Sequence, residues 1–402
     1  YTCNQGLRLC HRRTAQGSLS LVPNYCRSWF VSSNFSESPT PANCTAKLTY
    51  LTMIECRNLT KSYSELQAVS DFNLHLEEHE FLSILGPSGC GKSTLLRLIA
   101  GLEVPSKGQV LLEKLEISGK KIILPPESRK FGMIFQDFAL FPHLSIEKNI
   151  AYGVNGSRRD KQKRVEELLK LVSLQHLASK MPHQISGGEQ QRIAVARALA
   201  PRPRLILMDE PFSNLDYKLR LQLRREIRVI LKHEGVATIL VTHDQVEAIT
   251  FSERVLLMNK GKLVQAGTPE EIYQQPQTLW ASSFVGEANH LSVEWEETSL
   301  KSPFGFLDVP AEIGKETRIL MVRPEDFILV SAPDGEANGI VKTVEFSGAA
   351  QTVGVELKSG EKIQVSGSPH LLWNLEDPVK ITAERYLCFN SFGDRLDGFI
   401  AK

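Results

Sequence analysis

The chain has 402 residues, of which 42% are hydrophobic and 23% charged, and its 47 basic and 46 acidic side chains leave a net charge of +1. This composition excludes a disordered or collagen-like chain, and the length allows two or three domains with cores of their own. The even charge balance carries no whole-chain signal for nucleic acid or anionic lipid, and with no run of 18 apolar residues, a transport pathway would have to come from another chain.

Residues 1–52 differ from the rest. They begin with Tyr1, hold one acidic residue (Glu37) against five basic ones, and carry four of the seven cysteines, Cys3, Cys10, Cys26 and Cys44. Met53 then opens a patterned segment. The preferred expectation is that translation starts at Met53 and that residues 1–52 are a non-native leader. An organelle transit peptide has the same acid-poor, Ser- and Arg-containing character and stands as the alternative. Cys56, Cys90 and Cys388 are too scattered for a disulfide framework or a zinc site, and a reducing, cytosolic setting is expected.

From 53 to about 290, short apolar runs alternate with helical patterns, which predicts an α/β domain with a mostly parallel sheet. Residues 81–85, 205–208 and 238–242 read as buried strands. The first leads into Gly86-Pro87-Ser88-Gly89-Cys90-Gly91-Lys92-Ser93-Thr94, which fits G-x-x-x-x-G-K-[ST], and a helical run with Gly101 as its C-cap follows. Strand, glycine loop and helix in that order predict a phosphate cradle. The glycines let backbone N–H groups turn inward, and the helix N-terminus adds roughly half a positive charge. Lys92 is placed to reach β- and γ-phosphates, and Ser93 to ligate Mg²⁺. Cys90, inside the loop, is expected to be a thiol whose alkylation blocks nucleotide; an inert, space-filling thiol is the alternative.

Gln136, in Phe135-Gln136-Asp137, is a neutral group able to bridge Mg²⁺ and water, though alone it reads as a surface glutamine. From about 160 to 180, Val165, Leu168, Leu169 and Val172 recur at helical spacing among charges, predicting an amphipathic helix in an insert between strands. Ser186-Gly187-Gly188-Glu189 precedes a strong helical pattern. Ser186 suits an N-cap or an anion donor, and alone the segment reads as a capped helix start. Asp209 and Glu210 end the 205–208 run, where a parallel strand delivers side chains to the ligand edge of a sheet. Asp209 suits a Mg²⁺ shell and Glu210 a general base or water-orienting group. His243 follows the 238–242 run. A lone histidine there is more often structural, but beside a phosphate loop it suits a γ-phosphate contact that helps hold the attacking water.

After about 290 the pattern turns to period-two runs with turns, such as 358–362, predicting a small β domain over 291–402. That segment has 11 Lys and Arg against 18 Asp and Glu. Its acidity argues against nucleic acid, which needs a basic face.

Together the motifs resemble the ATP-binding subunit of an ABC transporter. Residues 86–94 match Walker A, Gln136 the Q-loop, Ser186-Gly187-Gly188 the signature, Asp209-Glu210 Walker B, Ser213-Asn214-Leu215-Asp216 the D-loop and His243 the switch histidine, in family order over about 240 residues. Tyr63 sits where the family stacks a ring on adenine. The resemblance implies an α/β P-loop NTPase of the ABC type: a RecA-like core over 53–290 with a helical subdomain at about 138–188. Met321-Val322-Arg323-Pro324-Glu325-Asp326 resembles the motif of the all-β, OB-like regulatory domain of binding-protein-dependent importers.

ATP and Mg²⁺ are the implied cofactors. The nucleotide contacts would be Tyr63, Gly86, Ser88, Gly89, Cys90, Gly91, Lys92, Ser93, Thr94, Ser186, Gly188 and Asp216, the signature residues Ser186 and Gly188 coming from the second copy of a homodimer. Ser93, Gln136 and Asp209 are the implied metal group; Glu210, His243 and Gln136 the catalytic group. Two transmembrane permease subunits and, indirectly, a periplasmic or lipoprotein substrate-binding protein follow as partners, with no nucleic acid. A peripheral position on the cytoplasmic face of the inner membrane goes with them. Phe138 and Phe141 read either as an exposed docking patch for a membrane subunit or as core. One departure is Glu189, where many members carry Gln; a helix's first turn tolerates it.

For cargo, residues 131–143 and 211–216 look most like ferric-iron import ATPases, while sulfate, molybdate, polyamine and sugar importers share most of the pattern. From another class, a soluble ABC ATPase acting on nucleic acid or ribosomes is the alternative. It fits less well, because Ser186 follows Lys92 by only 94 positions with no long heptad run between them.

Overall fold

The structure is a computed structural model that describes residues 52–396 apart from Asp334. The leader expected over 1–52 therefore lies, Thr52 aside, outside the described residues.

Phe81–Leu85 is buried at all five positions because it has parallel neighbours on both sides, Ala237–Thr242 and Arg254–Asn259. Leu205–Asp209 and Phe131–Ile134 extend the sheet in parallel beyond Ala237–Thr242, and Lys262–Gly267 closes the other edge antiparallel. Both faces of this six-stranded sheet are covered, so its central strands are continuous apolar runs. Leu82, Ile84, Leu207 and Val241 pack towards the helix Lys92–Ala100 and a four-stranded antiparallel sheet that includes Thr52–Tyr63 and Leu66–Glu77. Phe81, Ile206, Met208 and Leu240 pack on the other face with Ile193, Leu223 and Ile227 of the helices Gly187–Leu199 and Tyr217–Glu234.

Between Phe131–Ile134 and Leu205–Asp209 the chain is helical: Ile146–Ala151, Arg158–Leu171, two short 3₁₀ turns, then Gly187–Leu199. Arg158–Leu171 starts in a capping box made by Ser157 and Asp160. The periodic pattern suggested a helix running on to about 180. It stops at Leu171 because Ser173 takes a left-handed φ of 58°, and a 3₁₀ turn, Gln175–Leu177, then carries Leu177 back into the core.

Of the two readings of Phe138, docking patch or core, the structure shows core. It is 7% exposed and belongs to the core with Ile146 and Ile150. Left-handed φ values at Phe138 and Ala139 turn the chain inward, and Arg197 donates to the carbonyls of both. Phe141 is half-buried, its ring 4.7 Å from that of Tyr152 and 5.5 Å from the Arg197 guanidinium.

Past Asn289 the chain forms three antiparallel sheets around one apolar core. The expected turn at 358–362 is a hairpin between Gln351–Leu357 and Lys362–Gly367, with Gly360 at φ 91°. Arg323 joins this β part to the α/β part. Its guanidinium donates to the carbonyls of Ser282 (2.9 Å), Glu287 (2.8 Å) and Tyr273 (2.9 Å), and lies 4.2 Å from the centre of the Tyr273 ring. Two of those carbonyls belong to the short helices Leu279–Phe284 and Pro269–Gln274, near whose C-termini carbonyls lack helical partners. The Tyr273 hydroxyl donates to Glu325 at 2.6 Å, and burial with this neighbouring carboxylate pushes the phenol up to about 12.

Arg129 does the same for the phosphate-loop helix. It is 1% exposed and donates to Leu98 O (3.3 Å), Ile99 O (2.7 Å), Ile117 O (3.2 Å), Leu124 O (2.8 Å) and Ser118 Oγ (3.3 Å). Burial lowers its pKa to about 10, so it stays charged at neutral pH while tying the helix end to the antiparallel sheet. Arg129→Met leaves buried carbonyls without donors. It is expected to lower stability by about 3 kcal/mol or more, seen as a lower urea midpoint; an unchanged midpoint would contradict this.

Candidate functional site

The site is built from the C-terminal ends of adjacent parallel strands. Phe81–Leu85 delivers the loop 86–91, Leu205–Asp209 delivers Asp209 and Glu210, and Ala237–Thr242, lying between those two strands, delivers His243. Parallel packing puts all three chain exits at one edge.

In the loop, Gly91 is the N-cap of Lys92–Ala100 at φ 107°, and a Cβ there would lie 2.1 Å from the Ala68 carbonyl oxygen, so only glycine fits. Ser88 and Gly89 are exposed, while Gly86 is buried at the end of its strand and Thr94 half-buried in the helix. Lys92 is 4% exposed, and its Nζ donates to Gly86 O (2.8 Å) and Pro87 O (2.9 Å). The loop's own carbonyls thus aim the ammonium across the cradle, and an ammonium has three donors.

Ser93 Oγ donates to Asp209 Oδ1 at 2.8 Å. Burial raises the Asp209 carboxyl above its ordinary value, with the Ser93 hydrogen bond opposing in part. The neighbouring Glu210 has a left-handed φ of 45°, uncommon for a non-glycine residue. Its backbone is pinned: its N–H donates to Val241 O (2.9 Å), and its carbonyl accepts from the Ser213 hydroxyl (2.9 Å). That turn brings Glu210 Oε2 to 3.0 Å from His243 Nδ1. The His243 side chain is half-exposed and that of Glu210 mostly covered, which suits groups that meet water at a pocket rim.

Gln136 is exposed just past the edge strand Phe131–Ile134, and its backbone carbonyl accepts from Asn214 Nδ2 at 2.9 Å. Tyr63 ends its strand, exposed, with Lys61 Nζ 4.8 Å from its ring centre.

Ser186, Gly188 and Asp216 form a second group. Ser186 caps Gly187–Leu199, and each of its side-chain hydrogen bonds is made with Glu189. A Cβ on Gly188 would lie 3.1 Å from Leu219 and Leu223, so glycine lets this helix start approach Tyr217–Glu234, which Asp216 caps by accepting from Leu219 N–H at 3.0 Å. Leu215 lies against Gly187. Among the described residues no hydrogen bond links Ser186 to the phosphate loop.

Cys90 departs from the reactive-thiol expectation. Its side chain is 6% exposed, packed in the core cluster beneath the loop, and burial raises its pKa. Its backbone N–H donates to Pro87 O at 3.3 Å inside the loop, and a buried, protonated thiol reacts slowly.

Sequence reasoning missed the support behind His243. Thr242 Oγ1 donates to Glu247 Oε2 (2.6 Å) and accepts from Asp244 N–H (3.0 Å), while Asp244 Oδ1 accepts from Glu247 N–H (2.9 Å). Both neighbours of His243 are thereby clamped, and Arg220 reaches Asp244 at 3.4 Å. Burial raises the Glu247 carboxyl. The signal was present as Asp244-x-x-Glu247, a helix-capping spacing directly after the histidine.

A phosphate loop, a half-buried acid on its serine and a carboxylate–histidine pair at one edge of a mostly parallel sheet define a P-loop ATPase. Residues 69–213 match the ABC transporter family and residues 320–389 the TOBE domain. The putrescine transport ATP-binding protein PotG of Escherichia coli is 41% identical over 328 residues, covering 77% of this chain and 86% of that protein. The Fe(3+) ions import ATP-binding protein FbpC 2 of Pectobacterium atrosepticum is 41% identical over 313 residues, covering 77% and 90%. Among solved structures, cbiO1 from Clostridium perfringens, part of the ABC transporter complex cbiONQ, aligns with a TM-score of 0.51 at 28% identity, over 55% of this chain and 90% of that one. The chain belongs to the ABC transporter family, among the ATP-hydrolysing subunits of importers.

Asp209→Asn tests the electrostatics. The native carboxyl has a raised pKa, so its burial burdens the fold when ionised. The burden is absent below the unfolded value near 3.8 and grows as pH rises through the native pKa. Asp209→Asn is expected to raise the nucleotide-free Tm by about 2–4 °C at neutral pH, as ~1 kcal/mol does in a domain of this size. The gain should fade on acidification, followed by thermal melts across pH; a lower Tm at neutral pH would contradict it.

Proposed function

We propose that two copies of this chain close head to tail on two ATP molecules and so drive an importer through separate membrane subunits. The observation that carries this is the division of the nucleotide motifs into two groups on one chain. The phosphate loop, Asp209, Glu210 and His243 share a sheet edge, whereas Ser186, Gly188 and Asp216 meet at two helix starts with no bond to the loop. Opposed copies would supply the second group to the first. ATP then favours the closed pair because its γ-phosphate touches both halves, and hydrolysis removes that bridge.

The loop N–H groups and Lys92 hold the phosphates, Tyr63 offers its exposed ring to the base, and Gln136 lies at the rim. Glu210 accepts the proton of the attacking water or orients it, and His243 fixes the carboxylate. Ser93 Oγ and Asp209 Oδ1, 2.8 Å apart, with Gln136, are oxygen donors suited to Mg²⁺, which takes one or two such ligands together with phosphate oxygens and waters. Bound there, Mg²⁺ would neutralise charge on the phosphates and relieve the half-buried Asp209.

A groove of about 600 Å³ on the helical insert, lined by Ala151, Val165, Leu169 and Ala178 with charged Glu147 and Arg158, supports docking of a membrane-subunit helix. Tyr152, 70% exposed, stands beside it. No helix among the described residues is long and apolar enough to cross a membrane. The chain's likeness to importer ATP-binding proteins supports a peripheral place at the cytoplasmic face of the inner membrane. For cargo, ferric iron was the sequence expectation. Relatives named for Fe(3+) and for putrescine or spermidine are 38–41% identical, with neither cargo set apart, so the cargo class we propose is a small cation, ferric iron or a polyamine, delivered by an external binding protein. The acidic C-terminal segment disfavours nucleic acid.

Glu210→Gln is expected to cut ATP hydrolysis by about 10²–10⁴-fold, the usual worth of a general base, and to accumulate an ATP-bound dimer in light or X-ray scattering. A monomer with ATP bound would count against the proposal. Uptake of labelled ferric ion and of labelled putrescine, compared in cells with and without the chain, separates the two cargoes.

A further inference from the structure

We propose that Glu189 is an electrostatic brake on closure of the nucleotide site, a positioning residue that acts through Ser186. The inference rests on the two-copy reading above and deepens it.

Ser186 has one hydroxyl proton to give. It is donated to Glu189 Oε2 at 2.7 Å, and the Ser186 backbone N–H reaches the same oxygen at 2.8 Å. Both polar hydrogens of the residue that would meet a phosphate from the opposing copy are thus already held by a carboxylate. Glu189 N–H closes the box onto Ser186 Oγ at 3.4 Å. Arg192 and His176 act on Glu189 only through space, Arg192 being paired with Glu226 at 3.3 Å, and among the described residues no ion pair to Glu189 forms. Glu189 is half-buried, beside an exposed Ser186, with its carboxylate held by those two bonds.

An incoming triphosphate therefore meets a full negative charge beside the serine it must engage, and the Ser186 hydroxyl must leave one anion for another. The helix N-terminus, which would otherwise attract the phosphate, is already balanced by this carboxylate. In a closed pair the effect operates twice, once in each site. Glutamine at this position still closes a capping box, its amide oxygen accepting the same two donors, but without the charge. Glu189 thus raises the ATP level at which two copies close, leaving the helix start intact.

The test uses the full chain carrying Glu210→Gln, with dimer formation followed by scattering against ATP concentration at several salt levels. Adding Glu189→Gln is expected to lower the half-maximal ATP concentration about tenfold at low salt, with the difference shrinking as salt screens the repulsion. The Tm without nucleotide should fall only slightly, because the amide oxygen keeps both hydrogen bonds but loses the charge that strengthened them. Glu189→Ala, which removes charge and cap together, should lower the Tm further and still lower the ATP midpoint. An unchanged or higher midpoint in Glu189→Gln, or a difference that ignores salt, overturns the brake while leaving the two-copy reading in place. Failure of Glu210→Gln itself to pair with ATP overturns both.

Discussion

Three buried strands lying side by side and pointing the same way hold the phosphate group together. Ala237–Thr242 sits between Phe81–Leu85 and Leu205–Asp209, so the glycine loop, the acids and the histidine leave the sheet at neighbouring points. The Ser93–Asp209 and Glu210–His243 contacts follow from that adjacency, between partners 116 and 33 positions apart in the chain. A slip of either parallel pairing would displace these exits from one another. The apolar filling on both faces of the sheet fixes that register, because each side chain has one face on which it packs.

The site stores cost where it needs chemistry. Lys92 is nearly buried, Asp209 and Glu247 have carboxyls raised by burial, and Glu210 holds a left-handed backbone. None of these is what a stable fold alone would choose. Each is balanced locally: loop carbonyls hold Lys92, Ser93 donates to Asp209, Thr242 to Glu247, and Ser213 pins the Glu210 turn.

One device recurs throughout the molecule. Guanidinium groups donate to backbone carbonyls where regular structure ends: Arg129 at the end of the phosphate-loop helix, Arg197 at the 138–139 turn, Arg220 at the loop after Glu210, and Arg323 at the joint with the β part. A fork of five donors meets several orphan carbonyls at once, which a lysine cannot do. These joints tie together the helix behind the phosphates, the insert, the loop that reaches Gln136 through Asn214, and the C-terminal sheets.

Much of this was legible in the chain itself. The continuous apolar runs, the glycine loop with its lysine and serine, the Asp209-Glu210 pair at a strand end and the turn at 358–362 are local patterns, and local patterns survive folding. What the sequence could not decide was which surfaces each residue faces. Phe138 looked exposed but turns inward on a left-handed backbone, and Cys90 sits in the loop while its thiol packs in the core. The helix after 158 stops at Leu171, where the backbone reverses. The partners of Asn214, Arg129 and Arg323 lie far along the chain or hang on backbone carbonyls, which carry no sequence signature. The separation of Ser186 from the phosphate loop is likewise a property of tertiary packing, since burial, long-range pairing and the hydrogen bonds of the main chain are set only when the elements meet.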